Sequence, residues 1–172
     1  MFNIIEYNNI EFMICEEPNF FNINKLILEF KKHTVNNIIT CIESKILEII
    51  KISIPNIKIH NLIFEDGGFP SSEILRKWIS ILINLKFLGK IRIAIMCKSG
   101  LGRSPLLICL ALIKIFKFDP AESIIFVRKK IRGALNKKQV EYILNYKKSS
   151  SLSFLIKNFY NNLTPRFSSK NL

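Results

Sequence analysis

The sequence predicts an α/β fold: a central, mostly parallel, twisted sheet flanked by helices and closed as a single domain. Three observations carry this. Segments with strand-like and helix-like apolar spacing alternate along the chain, the pattern of a sheet covered by its own connections. The β-rich segment IRIAIM, residues 91–96, lies between two helical segments, where a parallel strand belongs. The chain has 172 residues, 49% of them apolar, enough for one core and too apolar for disorder.

The elements follow in order. IIEY and IEFMIC flank Asn8-Asn9 and read as a β-hairpin. Residues 23–32, INKLILEFKK, carry helical apolar spacing, with Asn22 or Asn24 as N-cap. NNIITCI reads as a short buried strand ending near Cys41, KILEIIKI as a short helix and IKIHNLIF as a strand. EDGGFPSS is a loop by its glycines and proline. Behind it, residues 72–87 place Ile74, Trp78, Ile81, Leu82 and Leu85 on one helical face, with Trp78 read as core. After the strand IRIAIM, PLLICLALIKIF reads as a buried helix. FDPAES starts another, with Asp119 as N-cap, Pro120 at N1 and Glu122 at N3. RGALNKKQ turns into one more helix. After KKSSS, the segment SFLIKNFYNNL is a further amphipathic helix or a tail. The expected division is a domain over 1–148 and a C-terminal helix or tail over 149–172.

Composition narrows the function classes. The net charge of +13 suits anionic partners: a phosphoprotein, an acidic protein or an anionic surface. The same charge serves solubility. No apolar stretch is long enough to span a bilayer, the N-terminus lacks signal-peptide features and PRFSSKNL offers no prenylation box. Cys15, Cys41, Cys97 and Cys109 form no C-x-x-C pair, so a reducing, cytoplasmic setting is expected. His33 and His60 show no metal-ligand spacing, and neither metal nor cofactor is expected.

The chemistry concentrates in IMCKSGLGRSP, residues 95–105. A strand, a glycine-containing loop and a helix N-terminus together build an anion cradle, because loop N–H groups and the helix end converge on one point. Lys98, Ser99, Gly100, Leu101 and Gly102 supply the loop, and the glycines remove Cβ atoms that would block an oxyanion. Arg103 can grip two phosphate oxygens through its planar fork. The same positive field favours the thiolate form of Cys97. A thiolate in such a cradle is a nucleophile for a phosphate monoester. The rival cradle, a Walker A loop, needs G-x-x-x-x-G-K-[ST], which the chain lacks.

CKSGLGRS matches the C-x5-R signature of cysteine-dependent protein tyrosine and dual-specificity phosphatases. The neighbourhood resembles one branch, the phosphatases of regenerating liver. IFEDGGFPSSEILRKWISIL is similar to that branch's F-D-D-G loop and tryptophan-bearing helix, and RGALNKKQ to its R-G-A-x-N-x-K-Q segment. The resemblance spans roughly residues 3–148 in matching order. It implies the single-domain protein tyrosine phosphatase-like fold and hydrolysis of phosphotyrosine, with some phosphoserine or phosphothreonine tolerance, through a cysteinyl-phosphate. It makes Asp66 the general acid, with Glu65 a weaker candidate, and gives Asn136 and Gln139 the orientation of the hydrolytic water.

Two departures stand out. Met96 takes the place of the family's loop-ordering histidine, which implies reduced activity. Ser104 stands where the branch has alanine and offers a hydroxyl to the leaving thiolate. The branch's second, redox-active cysteine aligns with Ile42, with Cys41 beside it and expected to face the other way. The alternative function is a weak or inactive phosphate-binding pseudophosphatase serving as an interaction module. RNA 5′-end or phosphoinositide hydrolysis ranks below it: Gly102 stands where RNA-directed members carry asparagine, and Lys98 is the loop's single basic residue before Arg103. Nucleic acid is therefore not the expected partner.

Overall fold

The computed structural model describes residues 2–86 and 91–146. Among these run five strands and six helices: β1 (Phe2–Tyr7), β2 (Ile10–Glu16), α1 (Ile23–Lys32), β3 (Asn37–Thr40), α2 (Ile46–Ser53), β4 (Lys58–Asn61), α3 (Ser72–Lys86), β5 (Ile91–Cys97), α4 (Arg103–Phe116), α5 (Pro120–Lys130) and α6 (Lys137–Leu144). The expected C-terminal helix within 149–172 lies outside the described residues.

The sheet order is β1-β2-β5-β3-β4. Only the β1–β2 pair is antiparallel; β5 pairs parallel with β2 and β3, and β3 with β4. The hairpin turns through Asn8 and Asn9, both at positive φ, the two-residue geometry that asparagine accepts at low cost. The strand expected over IKIHNLIF pairs only over Lys58–Asn61. Leu62 still donates to the Thr40 carbonyl at 2.8 Å, and the chain then leaves the sheet toward the glycine loop.

Strand alternation sorts the core into two layers. Ile93, Ile95 and Cys97 of β5 join the layer that contains α3, α4 and α6 residues, whereas Ala94 and Met96 join the layer under α1 and α2. The central strand is covered on both faces, as a parallel strand requires. Helix α4 is buried from Arg103 through Ile113, which explains why its sequence is apolar all round.

Several expected details hold. Asp119 caps α5: its carboxylate accepts from Ala121 N–H at 2.9 Å, and Glu122 reaches back to Asp119 N–H at 3.3 Å. Asn22 occupies the N-cap position of α1 without capping it, because its side-chain oxygen accepts from Asn19 N–H instead. The α3 stripe is turned by one residue. Its fully buried face is Leu75, Trp78, Ile79 and Leu82, while Ile74, Ile81 and Leu85 are half-buried at its margin. Trp78 is wholly buried, and its indole N–H donates to the Leu107 carbonyl at 2.8 Å, joining α3 to the middle of α4. Among the described residues no helix is long and apolar enough to cross a membrane.

Trp78 therefore combines packing with a polar tie. Trp78→Ala is expected to cost about 3–5 kcal/mol of stability, and Trp78→Phe about 1–3 kcal/mol from the lost indole hydrogen bond and lost volume. Urea unfolding followed by circular dichroism checks both, and an unchanged stability for Trp78→Phe would show that the indole hydrogen bond contributes nothing.

Candidate active site

β5 delivers Cys97 to the carboxyl edge of the sheet and α4 begins at Arg103, so residues 98–102 form the loop between them. This is where a parallel α/β sheet places ligands, beyond the strand ends and before a helix N-terminus. Gly102 caps α4 without any side-chain hydrogen bond, which leaves the first-turn N–H groups of a fourteen-residue helix for another acceptor.

The two loop glycines serve reasons other than the one expected from sequence. Gly100 has φ +72°, a left-handed conformation that disfavours a side chain, and a Cβ there would lie 3.4 Å from Ile14. At Gly102 a Cβ would lie 3.4 Å from the Gln139 amide. The close approach is therefore to β2 and α6, and the oxyanion cradle remains a matter of backbone N–H groups. Lys98 is exposed and directs its ammonium to Glu17 at 3.1 Å, so its side chain braces the neighbouring loop rather than facing the cradle. Glu17 N–H also donates to the Cys97 carbonyl at 2.9 Å. Ser99 Oγ accepts from Leu101 N–H at 3.4 Å.

Arg103 is the centre of the arrangement. Its guanidinium is almost wholly buried, and Nη1 donates to the Cys41 carbonyl at 3.0 Å and the Phe64 carbonyl at 3.1 Å. Nη2 meets the Asp66 carboxylate at 3.1 Å, while Nε is buried without a partner. One edge of the fork is thus anchored, and the Nε–Nη2 edge is the one that can grip two phosphate oxygens. Asp66 is 72% exposed at the side chain, and Gly67 N–H donates to the same carboxylate at 3.1 Å. Glu65 instead folds back over Gly68, its Oε2 3.5 Å from where a Gly68 Cβ would stand. Of the two acidic candidates, only Asp66 is drawn to Arg103.

Asn136 and Gln139 form the capping box of α6: Gln139 N–H donates to Asn136 Oδ1, and Asn136 N–H to Gln139 Oε1. Their amide nitrogens turn outward to the acid loop, Asn136 Nδ2 to the Gly67 carbonyl at 2.9 Å and Gln139 Nε2 to the Gly68 carbonyl at 3.0 Å. Gln139 is fully buried against Gly102. Leu135 N–H donates to the Leu101 carbonyl at 2.8 Å, so the phosphate loop, acid loop and α6 share one seam.

Ser104 is buried in the first turn of α4, its hydroxyl donating to the Ile95 carbonyl at 3.3 Å; to serve the Cys97 thiolate it must exchange that acceptor. Met96 packs with Met13, Ile38 and Ala94 on the sheet face opposite Cys97. The cysteine question is resolved differently from the sequence expectation. Alternation places Ile42 with the Met96 layer and Cys41 with the Cys97 layer. Burial pushes the Cys41 thiol above its ordinary range, as does the charge of Cys97, with Arg103 opposing both. Burial likewise raises Cys109, on α4, to about 12.

Sequence reasoning missed the Cys41 and Phe64 carbonyls, because every residue carries a carbonyl and no side-chain pattern marks those that a distant arginine will use. It also missed the Phe69–Tyr142 stack between acid loop and α6, with centroids 4.4 Å apart. The only signal was a phenylalanine inside a glycine loop.

No family model matches this chain. The chain is 34% identical over 151 residues to the PRL-1 phosphatase of Drosophila melanogaster, covering 87% of this chain and 84% of that protein. It is 32% identical over 153 residues to protein tyrosine phosphatase type IVA 2 of Mus musculus, covering 87% and 89%. Among solved structures it is similar to a protein tyrosine phosphatase from Leishmania major, with TM-score 0.73, 25% identity, and coverage of 85% of this chain and 98% of that one. Kinase-associated phosphatase matches with TM-score 0.63 and 20% identity over 86% and 87% of the two chains, a likeness of fold.

The divided use of the Arg103 fork yields a test. Arg103→Lys keeps the charge but cannot hold two carbonyls and present two donors at once. It is expected to lower kcat on aryl phosphates by about 10²–10³-fold, the usual cost of losing a preorganised oxyanion donor. Steady-state kinetics beside a thermal melt separate this from unfolding; retention of full activity by lysine would rule out the fork.

Proposed function

The chain belongs to the phosphatases of regenerating liver, the type IVA branch of the cysteine-dependent protein tyrosine phosphatases, and from that premise we propose that Cys97, Arg103 and Asp66 carry its reaction. The observation that supports this assignment most is the bridging position of Arg103. It begins the helix that follows the Cys97 loop and holds Asp66 by Nη2, with its Nε–Nη2 edge still able to take phosphate.

In this reading the reaction takes two steps. The dianionic phosphate of the substrate sits in the loop of residues 98–102, on the N-terminus of α4, with two oxygens on Arg103. Cys97 Sγ attacks phosphorus as the bond to the tyrosine oxygen breaks. Asp66 gives its proton to that oxygen, so the product leaves as a neutral phenol. Phosphate binding competes with Asp66 for Nη2, which frees the carboxylate to take up a proton from solvent and turn to the leaving group. In the second step water attacks phosphorus, Asp66 accepts its proton, and the S–P bond breaks to return the Cys97 thiolate and inorganic phosphate. Ser104, one helical residue beyond Arg103, stabilises that thiolate by turning its hydroxyl from Ile95 to Sγ. Gln139 orients the water once its amide leaves the Gly68 carbonyl.

Substrates of this reading are phosphoproteins, with phosphotyrosine preferred and phosphoserine or phosphothreonine tolerated. The charge of +13 favours acidic protein surfaces around the phosphorylated residue. Buried free thiols at Cys15, Cys41 and Cys109 suit a reducing, cytoplasmic setting. Met96, packed in an apolar layer, offers no hydrogen bond to order the loop, so turnover is slower than a histidine at this position would support.

Two substitutions test the assignment. Cys97→Ser is expected to bind phosphate and abolish turnover of aryl phosphates; hydrolysis at the wild-type rate would refute the nucleophile. Asp66→Asn is expected to slow phosphotyrosine by about 10²–10⁴-fold while sparing substrates with good leaving groups, since only poor leaving groups need the proton. A Brønsted plot of kcat/KM against leaving-group pKa reads this directly, and an unchanged slope would remove Asp66 from the role.

A further inference from the structure

The acid loop carries an aromatic residue that the reaction itself does not use. Phe69 is 52% exposed, three residues beyond Asp66, and lies flat on Tyr142 of α6 at 4.4 Å and 10° between ring planes. Tyr142 in turn contacts Tyr146 at 5.9 Å, and the Lys114 ammonium of α4 sits 5.0 Å over the Tyr146 ring. A column of rings thus runs from the acid loop to the body of α4. Offset stacks and cation–π contacts of this kind are directional, so the column sets position as well as burying area.

The column acts on the part of the loop between the Phe64 carbonyl, held by Arg103, and the buried Pro70. The Asp66 side chain is mostly exposed and touches Arg103 and its own loop N–H. Its location therefore depends on where the backbone of residues 67–69 is tied. Two ties are the amide bonds from Asn136 and Gln139 to the carbonyls of Gly67 and Gly68. The third is the Phe69 ring on Tyr142. All three come from α6, at successive residues of the loop. The amide bonds can be exchanged with water as the loop moves; the ring contact is apolar and is lost only when the loop departs.

We propose that Phe69 and Tyr142 form a positioning latch that holds the acid loop against α6 and so keeps Asp66 within reach of the leaving group of a phosphate seated on Arg103. This rests on the reading of Asp66 as general acid. Neither ring touches the reacting atoms. Their effect reaches the reaction through the proton that Asp66 delivers, so it grows as the leaving group becomes poorer.

The experiment uses the full chain, with phenyl phosphate as a poor leaving group and 4-nitrophenyl phosphate as a good one. Phe69 lies exposed on a loop, so Phe69→Ala is expected to fold with an unchanged melting temperature. It should lower kcat/KM for phenyl phosphate between about 2-fold and 10-fold, the range for losing one ring pair. The good substrate should stay within about 2-fold of wild type. Phe69→Tyr and Tyr142→Phe keep both rings and should retain wild-type selectivity. In an Asp66→Asn background, Phe69→Ala should add no further loss on phenyl phosphate, because the group it positions is gone. Equal losses on both substrates, or losses that add to Asp66→Asn, overturn the latch and mark a general structural role. If Asp66→Asn steepens the leaving-group dependence but Phe69→Ala does not, the latch alone fails. If Asp66→Asn itself leaves the dependence unchanged, the general-acid reading falls and the latch falls with it.

Discussion

A buried cation organises this molecule. The Arg103 guanidinium is withdrawn from water, and an unpaired charge there would cost several kcal/mol. Three segments offset that cost: the end of β3 through the Cys41 carbonyl, the segment after β4 through the Phe64 carbonyl, and the acid loop through Asp66. Cys41 is far in sequence from the Phe64–Asp66 stretch, and both are far from Arg103; they meet only because β3, β4 and β5 are parallel neighbours ending at one edge. The same contacts that make the charge tolerable aim it. With Nη1 committed to two carbonyls, the remaining edge of the fork has one direction in which to act. Stability and the proposed phosphate recognition therefore draw on the same atoms.

The central position of β5 imposes a second constraint. A strand covered on both faces must be apolar on both, and alternation then assigns each residue to a layer. Cys97 falls to the α4 side and Met96 to the α1 side. Each neighbour of the nucleophile has its environment decided by parity along the strand, and the same parity brings Cys41 rather than Ile42 to the Cys97 layer. Helix α4 completes the geometry. It is buried throughout, braced by the Trp78 indole on Leu107, and presents an end without a side-chain cap where the loop delivers the thiol.

Helix α6 ties down the loop that carries Asp66. Its capping box satisfies two backbone donors with the oxygens of Asn136 and Gln139, and this leaves both amide nitrogens free to reach the acid loop. One short helix end thus stabilises itself and holds the loop that carries Asp66. The contacts are few, which suits the exchange of partners proposed for this loop during turnover.

Much of this was legible along the chain. Periodicity and capping chemistry marked the hairpin at Asn8-Asn9, the buried α4 and the Asp119-Pro120-Glu122 start of α5, because these depend on residues within a few positions of one another. The phosphate loop was equally visible, since strand, loop and helix N-terminus are consecutive. What the sequence by itself determined was a cysteine, an arginine and an acidic glycine loop as chemical types. Only the tertiary structure decided which way the Arg103 fork divides, that Lys98 turns to Glu17, that Gly102 makes room for Gln139 and that Cys41 faces the Cys97 layer. Those outcomes rest on contacts between segments tens of residues apart, many through backbone carbonyls common to every residue. Local pattern carries no record of such partners; the packing of parallel strands and the helices over them selects them.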